Sequence, residues 1–481
     1  MSDPLSYLPY AVASRGGRVD GYEAQQLVAA GLTLLQRSVP LVRALAGRRA
    51  AILLPTSPAF LTALAAAEGR GAVLINPFAA PAEIAYQLAD AGVGAVFTNG
   101  ALAARVPEHV TRVLLDDAPR TARVLHDGRS SDVDLGSHFG LEIEGDQDAP
   151  GARDEGAVVY TSAMAGRPLG AILTHRNLLA NARSTVAAAT QASDDHVLAL
   201  LPWAHLFGLT VTATAPLLAG ATVTTMDRFN PVRALELLAS GGVTELVGVP
   251  AIFKGLLAAI ERRGSRLETA LRVVICGGAA LETELQDRWY DATGTELRQG
   301  YGLTEAGPVC IFNRMDRPNA RGTLGVAFPG VEVAIADVAD EGADAPPALL
   351  AAGGEGEIVV RGENVFAGYV SGGEHGLVRT IDGWLRTGDL GAMRDDGTVE
   401  FRGVRKPMFT RNGFNVYPRE IEHVIAAMPG VQSVAVTPVA DPVREHDIAV
   451  TVEGTVTADD VKRWCELRLS AYKQPGSVTV R

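Results

Sequence analysis

Apolar residues recur at helical spacing from Glu23 to Val39, and the stretch Arg48-Arg49-Ala50-Ala51-Ile52-Leu53-Leu54-Pro55 then reads as a short buried strand ending in a turn. A helix over Ser57 to Gly69 follows. Val73-Leu74-Ile75-Asn76-Pro77 is a second apolar run stopped by proline, Pro81 to Ala91 is helical with proline at its start, and Gly94 to Thr98 is again strand-like. Short apolar runs alternating with helices predict parallel strands joined by crossover helices, an α/β architecture. The same pattern returns at Ala157 to Ser162, at Ala171 to Leu178, and at Val273-Val274-Ile275-Cys276, a buried strand that opens into Gly277-Gly278-Ala279-Ala280 with a helix over Glu282 to Tyr290 behind it.

The pattern changes further along. Gly322 to Val338 and Gly354 to Arg361 alternate apolar and other residues between Gly and Pro turns, which predicts antiparallel sheet. After Asn412 to Glu422, a turn, strand and helix start, the chain reads as helix (Glu420 to Met428), strand (Val431 to Val436), strand (Ile448 to Val452) and a final amphipathic helix (Ala458 to Leu469), a small α+β unit. Asp116 to Asp154 is poor in periodicity and is expected to be a loop-rich connection, and Asp337 to Gly353, rich in Ala, Asp and Pro, an exposed loop.

Composition narrows the classes. A length of 481 residues suggests two to four folding units. A formal charge of -12 and a pI near 5.3 argue against nucleic acid as a standing partner, although an acidic chain still accommodates a local basic pocket for phosphates. Cys276, Cys310 and Cys465 are far apart, form no metal-ligand pattern and leave an odd thiol, which fits a reducing cytoplasmic compartment. The amino terminus lacks the charged start and apolar run of a secretory signal. Val197 to Met226 carries no Asp, Glu, Lys or Arg, but Pro202, His205 and Pro216 interrupt it, so it reads as buried helix and strand rather than a membrane span.

Candidate chemistry concentrates in Gln299-Gly300-Tyr301-Gly302-Leu303-Thr304-Glu305. The two glycines let backbone approach a ligand, Tyr301 offers a flat face to a purine, and Thr304 and Glu305 offer oxygens to phosphate-bound Mg²⁺. An ordinary polar turn after a strand would look similar. The strand ending at Thr161 and Ser162 runs into the small-residue loop Ala163 to Gly170, a way to present backbone N–H groups to phosphate oxygens, though the loop lacks the Walker pattern and also reads as a plain strand-to-helix turn.

Taken in order, five stretches resemble the motifs of the acyl-adenylate-forming superfamily, which includes acyl-CoA synthetases, adenylation domains of peptide synthetases and luciferases. They are Tyr160 to Gly170, Leu201 to Gly208, Gly300 to Glu305, Gly383-Trp384-Leu385-Arg386-Thr387-Gly388-Asp389-Leu390-Gly391, and Phe401 to Glu422. The resemblance implies a large amino-terminal domain over 1–403 with parallel α/β sheets and a small β-rich part, a hinge near Lys406, and a small mobile α+β domain over 404–481. It implies ATP, Mg²⁺ and CoA as cofactors and co-substrates: a hydrophobic or aromatic carboxylic acid is joined to AMP, and the acyl group then passes to CoA or, alternatively, to an acyl carrier protein. It places adenine against Tyr301 near Gly278, Ala279 and Gly300, phosphate at Thr161, Ser162 and Thr304, ribose at Asp389 in a Gly-Asp turn, and the metal at Glu305, with Gly302 and Lys406 also among the ATP-binding residues. His205, Phe207, Gly277 and Gly302 fall at the acyl pocket or its gate, with Thr304, Glu305 and His205 as candidate catalytic residues, and Gly413 on the CoA side. His205 also reads as an ordinary core histidine in an apolar run.

Some positions depart from the family pattern. Ser162-Ala163-Met164-Ala165-Gly166 and Leu169 replace a loop usually rich in hydroxyls and carrying a lysine, Val404 stands where an arginine is usual, and Pro407 where an acid is common. Lost charge-assisted donors, each worth about 1.5 to 3 kcal/mol, imply slower adenylation. Arg405 is adjacent but points differently on a strand. The chain reaches Arg481 before the segment that carries the family's adenylation lysine; Lys473 precedes that segment and does not match it. A catalytically weak or silent nucleotide- or acyl-binding relative is therefore the third reading.

Overall fold

The computed structural model describes residues 7–117, 120–136, 154–161, 167–339, 345–371, 377, 379–405, 408–412, 414–441 and 444–481. Two nine-stranded sheets organise the large amino-terminal part. In the first, strands His196–Ala199, Thr222–Thr225, Glu245–Gly248, Val273–Cys276 and Leu297–Gly302 run parallel, and Val309–Phe312 closes the ladder antiparallel to Leu297–Gly302. In the second, Arg49–Ile52, Arg70–Leu74, Val93–Thr98, Thr111–Leu115 and Glu155–Thr161 are parallel neighbours. Their near-continuous burial is what parallel strands covered on both faces require.

Local signals explain the crossovers. Helix Pro250–Arg263 has proline at its start and two arginines in its last turn, and it stops at Gly264, which takes the left-handed conformation. Helix His175–Ala189 is capped by Thr174, whose hydroxyl accepts from Asn177 N while the Asn177 side chain reaches back. The charge-free stretch forms two strands around a helix spanning 206–219, with a π-helical turn over Thr210–Thr214, so the buried reading holds and no described helix is long and apolar enough to cross a membrane.

Two expectations need correction. The connection after Asp116 is not all loop: Thr121–His126 and Arg129–Asp134 form an antiparallel hairpin on the sheet edge, with alternating burial in its first strand. Its polar outer face hides the strand signal, because only one side of an edge hairpin meets the core. Asp389 lies not in a turn but within the strand Leu385–Met393, directly after Gly388. That strand belongs to an antiparallel four-stranded sheet with Val331–Ala336, Glu355–Gly362 and Val399–Val404, as the alternating pattern predicted.

From Phe409 onward the chain builds its own apolar core from residues such as Val416, Ile421, Ile425, Ile448, Val450, Val461 and Leu469. Helices Pro418–Ala426 and Ala458–Glu466 pack on a three-stranded sheet of Val431–Asp441, Glu445–Gly454 and Ser477–Val480. The whole is an α/β fold with a large parallel-sheet part and a smaller carboxy-terminal α+β part.

Candidate active site

A cavity of about 710 Å³ opens where the carboxyl ends of parallel strands from both large sheets converge. The residues that follow strands ending at Ala199, Gly248 and Cys276, together with the end of Leu297–Gly302, form one side. Asn76 beyond strand Arg70–Leu74, with Thr161 at the end of Glu155–Thr161, forms another. Ligand crevices outside the carboxyl ends of strands are a general consequence of this topology. The antiparallel sheet contributes Thr387 and Asp389, and the small unit closes the mouth with Met408, Asn412, Phe414, Tyr417, Ser470, Tyr472 and Lys473.

Of the residues singled out from sequence, Thr161, His205, Phe207, Gly277, Gly278, Gly300, Tyr301, Gly302, Thr304, Glu305 and Asp389 all line this one cavity. Ala279 does not; it sits one residue past Gly278, beyond the lining. Ser162 with the rest of the loop at 162–166, Lys406, Pro407 and Gly413 lie outside the described residues.

Tyr301 and Asp389 are joined. The Tyr301 hydroxyl donates to Asp389 Oδ2 at 2.6 Å, which fixes the ring edge and leaves a face toward the cavity. Burial pushes the Asp389 carboxyl up to about 6, and the Tyr301 hydroxyl partly opposes that rise. The strand beneath is held by Glu357, buried at 2% exposure, whose oxygens accept from Gly388 N at 2.9 Å, Arg386 Nη1 at 2.8 Å and Arg405 Nη1 at 3.0 Å. Arg405 stands one residue beyond the end of strand Val399–Val404 rather than on it and points at Glu357, while Val404 pairs directly across from Asp389 in the ladder. Gly302 is needed for close approach, because a Cβ there would overlap the Pro308 carbonyl oxygen.

Glu305 is buried and raised in pKa by that burial, with the Tyr369 and Thr161 hydroxyls partly offsetting it. The Tyr369 hydroxyl donates to Glu305 Oε1 at 2.8 Å and accepts from Leu377 N at 3.1 Å. Among the described residues no three His, Cys, Asp or Glu side chains converge into a protein-built metal cage. Glu305 with the nearby Thr161 and Thr304 hydroxyls instead offers sparse hard oxygen donors. Such a set fits Mg²⁺ held mainly by phosphate and water.

His205 is not an isolated core histidine. Asn76 Oδ1 accepts from Phe78 N at 2.9 Å, which leaves Asn76 Nδ2 facing His205 Nε2 at 3.2 Å. Burial, and then the nearby Lys473 ammonium, lower the imidazole to about 4, so the ring is neutral near pH 7 and accepts at Nε2. Phe207 closes the apolar side; its ring lies 3.0 Å from where a Gly277 Cβ would stand. Leu200, Leu201, Phe229, Val249 and Ile252 continue that wall.

Sequence reasoning gave no role to Asn76, Glu83, Glu357 or Tyr369, and named Lys473 only as not matching the family's lysine. Asn76 had a readable signal, a lone amide between a buried strand and a proline, at the strand end where ligands bind. Glu83 and Lys473 had none, since they are 390 positions apart and meet only in space.

The model of a family described as "AMP-binding enzyme" matches residues 42–370. A feruloyl-CoA synthase of Amycolatopsis sp. is 32% identical over 440 residues, covering 90% of this chain and 84% of that protein. 4-Coumarate–CoA ligase 5 of Oryza sativa subsp. japonica is 31% identical over 449 residues, covering 89% and 80%. Among solved structures, o-succinylbenzoate CoA synthetase from Bacillus subtilis superposes with a TM-score of 0.78 at 22% identity, covering 100% of this chain and 95% of that one, a likeness of fold.

Proposed function

Because the chain belongs to the AMP-binding enzyme family, within the acyl-adenylate-forming superfamily, we propose that it is an AMP-forming carboxylate–CoA ligase acting on a hydrophobic or aromatic acid. The observation that carries this reading is the mixed lining of one cavity: the ring, hydroxyls and carboxylates of Tyr301, Asp389, Thr304, Thr161 and Glu305 bound the same space as the apolar side chains of Phe207, Phe229, Val249 and Ile252. Feruloyl- and coumarate-CoA ligases among the relatives favour an aromatic acid, and the apolar wall suits one.

In this reading the adenine lies on the Tyr301 face and the ribose hydroxyls donate to Asp389. The acid lies along the Phe207 wall with its carboxylate toward Thr304. One carboxylate oxygen attacks the α-phosphorus of ATP, a P–O bond forms, and pyrophosphate leaves with the electron pair of the broken bond. A thiol then gives up its proton to solvent, the thiolate attacks the acyl carbon to form a C–S bond, and AMP departs with the electron pair of the broken C–O bond. Glu305 would hold Mg²⁺, which when bound neutralises charge on the phosphates. Neutral His205, fixed by Asn76 through Nε2, stands at the acyl side of the mouth where the thiol must arrive and presents its other ring nitrogen there as an N–H donor.

We place the domain division at 403/404, with the small unit turning between the two steps. CoA is the acceptor favoured by the relatives' names, and a carrier-protein thiol is the alternative. A specific observation favours a slow first step: Val404 faces Asp389 where a guanidinium would otherwise stand, and Arg405 is engaged with Glu357. The test is pyrophosphate release and thioester formation with a panel of cinnamic, benzoic and fatty acids, comparing CoA with a phosphopantetheinylated carrier. Absence of both products with every acid, while nucleotide still binds, would replace this function with the binding-protein reading.

A further inference from the structure

The ammonium of Lys473 sits between two carboxylates that come from different parts of the fold. Glu83, in the first turn of helix Pro81–Asp90, lies 3.0 Å away; Glu420, on helix Pro418–Ala426 of the small unit, lies 2.5 Å away. All three side chains are buried, with exposures of 6% for Lys473, 10% for Glu83 and 3% for Glu420. Burial alone would depress the Lys473 ammonium, but the two carboxylates outweigh it and hold the group above its ordinary value.

Each partner is fixed from its own side. Glu83 Oε2 accepts from Ala80 N at 2.8 Å, which locks the carboxylate to the start of its helix, and Ser470 donates to the same oxygen. Arg411 Nη1 donates to the carbonyls of Tyr472 at 3.2 Å and Gln474 at 2.6 Å, so the turn that carries Lys473 is held rigidly within the small unit. Next to it, the Tyr472 ring stacks on Phe414 with centroids 4.4 Å apart and planes 20° from parallel, and Phe414 lies 5.9 Å from the His205 ring.

The geometry divides the two carboxylates by role. Glu420 shares a unit with Lys473 and keeps it paired in any orientation of that unit. Glu83 belongs to the large part, so its contacts with Lys473 and Ser470 exist only in the orientation seen here. Aromatic contact between Phe414 and His205 is tolerant of angle, whereas a buried charge-assisted bond is short and directional. Removing Glu83 deletes the bond across the boundary while Lys473 stays paired with Glu420, whereas removing Lys473 leaves two carboxylates without their counter-charge.

We propose that Glu83 and Lys473 are positioning residues for thioester formation: their ion pair across the boundary holds Phe414 and Tyr472 against His205 as the inner wall of the thiol entrance. The proposal rests on the two-step reading above. It predicts that weakening the pair slows acyl transfer to the thiol and spares the formation of acyl-AMP, which has no need of this orientation.

The test uses the full chain carrying E83Q, K473M, or both. E83Q retains an amide oxygen for Ala80 N and Ser470, so the helix start is kept, and thermal melting verifies that each variant is folded. Hydrogen exchange is followed without substrates in peptides covering Phe414 and Tyr472. Acyl-AMP formation and acyl transfer from preloaded acyl-AMP to CoA are timed separately. We expect about tenfold faster exchange in those peptides and about tenfold slower transfer for E83Q, with acyl-AMP formation within about twofold of wild type, and a double variant no worse than K473M because one interaction is lost in both. Unchanged exchange in E83Q, or equal losses in both chemical steps, would overturn the proposal. A wild-type chain that forms no thioester with any acid would defeat the function proposed above, and exchange alone would then decide the pair.

Discussion

Replacing Tyr301 by phenylalanine keeps the ring face proposed for adenine and deletes only the hydroxyl that donates to Asp389 at 2.6 Å. That bond lowers a carboxyl otherwise driven upward by burial, and the balance stands at about 6. A hydrogen bond to a charged group is worth about 1.5 to 3 kcal/mol, and about 1.4 kcal/mol corresponds to tenfold in a proton equilibrium, so its loss moves the Asp389 midpoint to roughly 7 to 8. The sign follows: ribose hydroxyls need an ionised acceptor, and Asp389 is ionised above its midpoint. In the wild type, adenosine affinity is expected to be level above pH 7 and to weaken as pH falls through about 6. In Y301F the same weakening begins roughly one to two pH units higher, and affinity at pH 7 falls by about twofold to tenfold. Titration calorimetry of adenosine, which carries the ribose hydroxyls without a titrating phosphate, from pH 5 to 9, with D389N as the control that lacks the inflection, measures it. An inflection that stays at its wild-type position in Y301F, or persists in D389N, would refute the coupling.

Phe207 separates the main cavity from a small apolar void bounded by Val211, Ile275, Phe312 and Phe328. F207A should join them and raise kcat/KM for long-chain acids relative to benzoate-sized ones by about tenfold; unchanged selectivity would place the acyl tail elsewhere. At Gly302, alanine would drive a Cβ into the Pro308 carbonyl, so G302A should destabilise by about 1 to 3 kcal/mol in urea unfolding and weaken nucleotide binding measured by calorimetry. His175 is buried at 2% exposure, neither ring nitrogen has a hydrogen-bond partner among the described residues, and burial lowers it to about 3. Its folded value lies below its ordinary value near 6.5, so the unfolded chain takes up the proton first and stability is lost as pH falls from about 6.5 toward 3, by about 2 kcal/mol at pH 5. H175L should remove that loss from the pH dependence of the urea midpoint.

The candidate site was legible wherever ligand-facing residues cluster along the chain. Gly300 to Glu305 supplies a glycine approach, a ring, a hydroxyl and a carboxylate within one strand end, so local pattern was enough. Asp389 was legible as a residue, while its setting was misjudged: Gly388 suggested a turn, but Glu357 and Arg386 hold the segment as a strand. Ala279 followed its neighbours by adjacency, yet the cavity stops at Gly278. The hairpin after Asp116 was hidden because an edge strand with one wet face carries a weak apolar signal.

By itself the sequence determined the alternation of helix and strand, the split between parallel and antiparallel regions, and most of the candidate residues that line the cavity. These depend on periodicity and short-range chemistry, which neighbouring positions carry. Tertiary structure alone decided that Asn76 would orient His205, that Tyr301 would hold Asp389, and that Glu83 and Lys473 would meet across the boundary of the small unit. Such pairings arise from the convergence of strand ends and the docking of a separately packed core, and a buried charge has its chemistry set by which partners that convergence brings within about 3 Å.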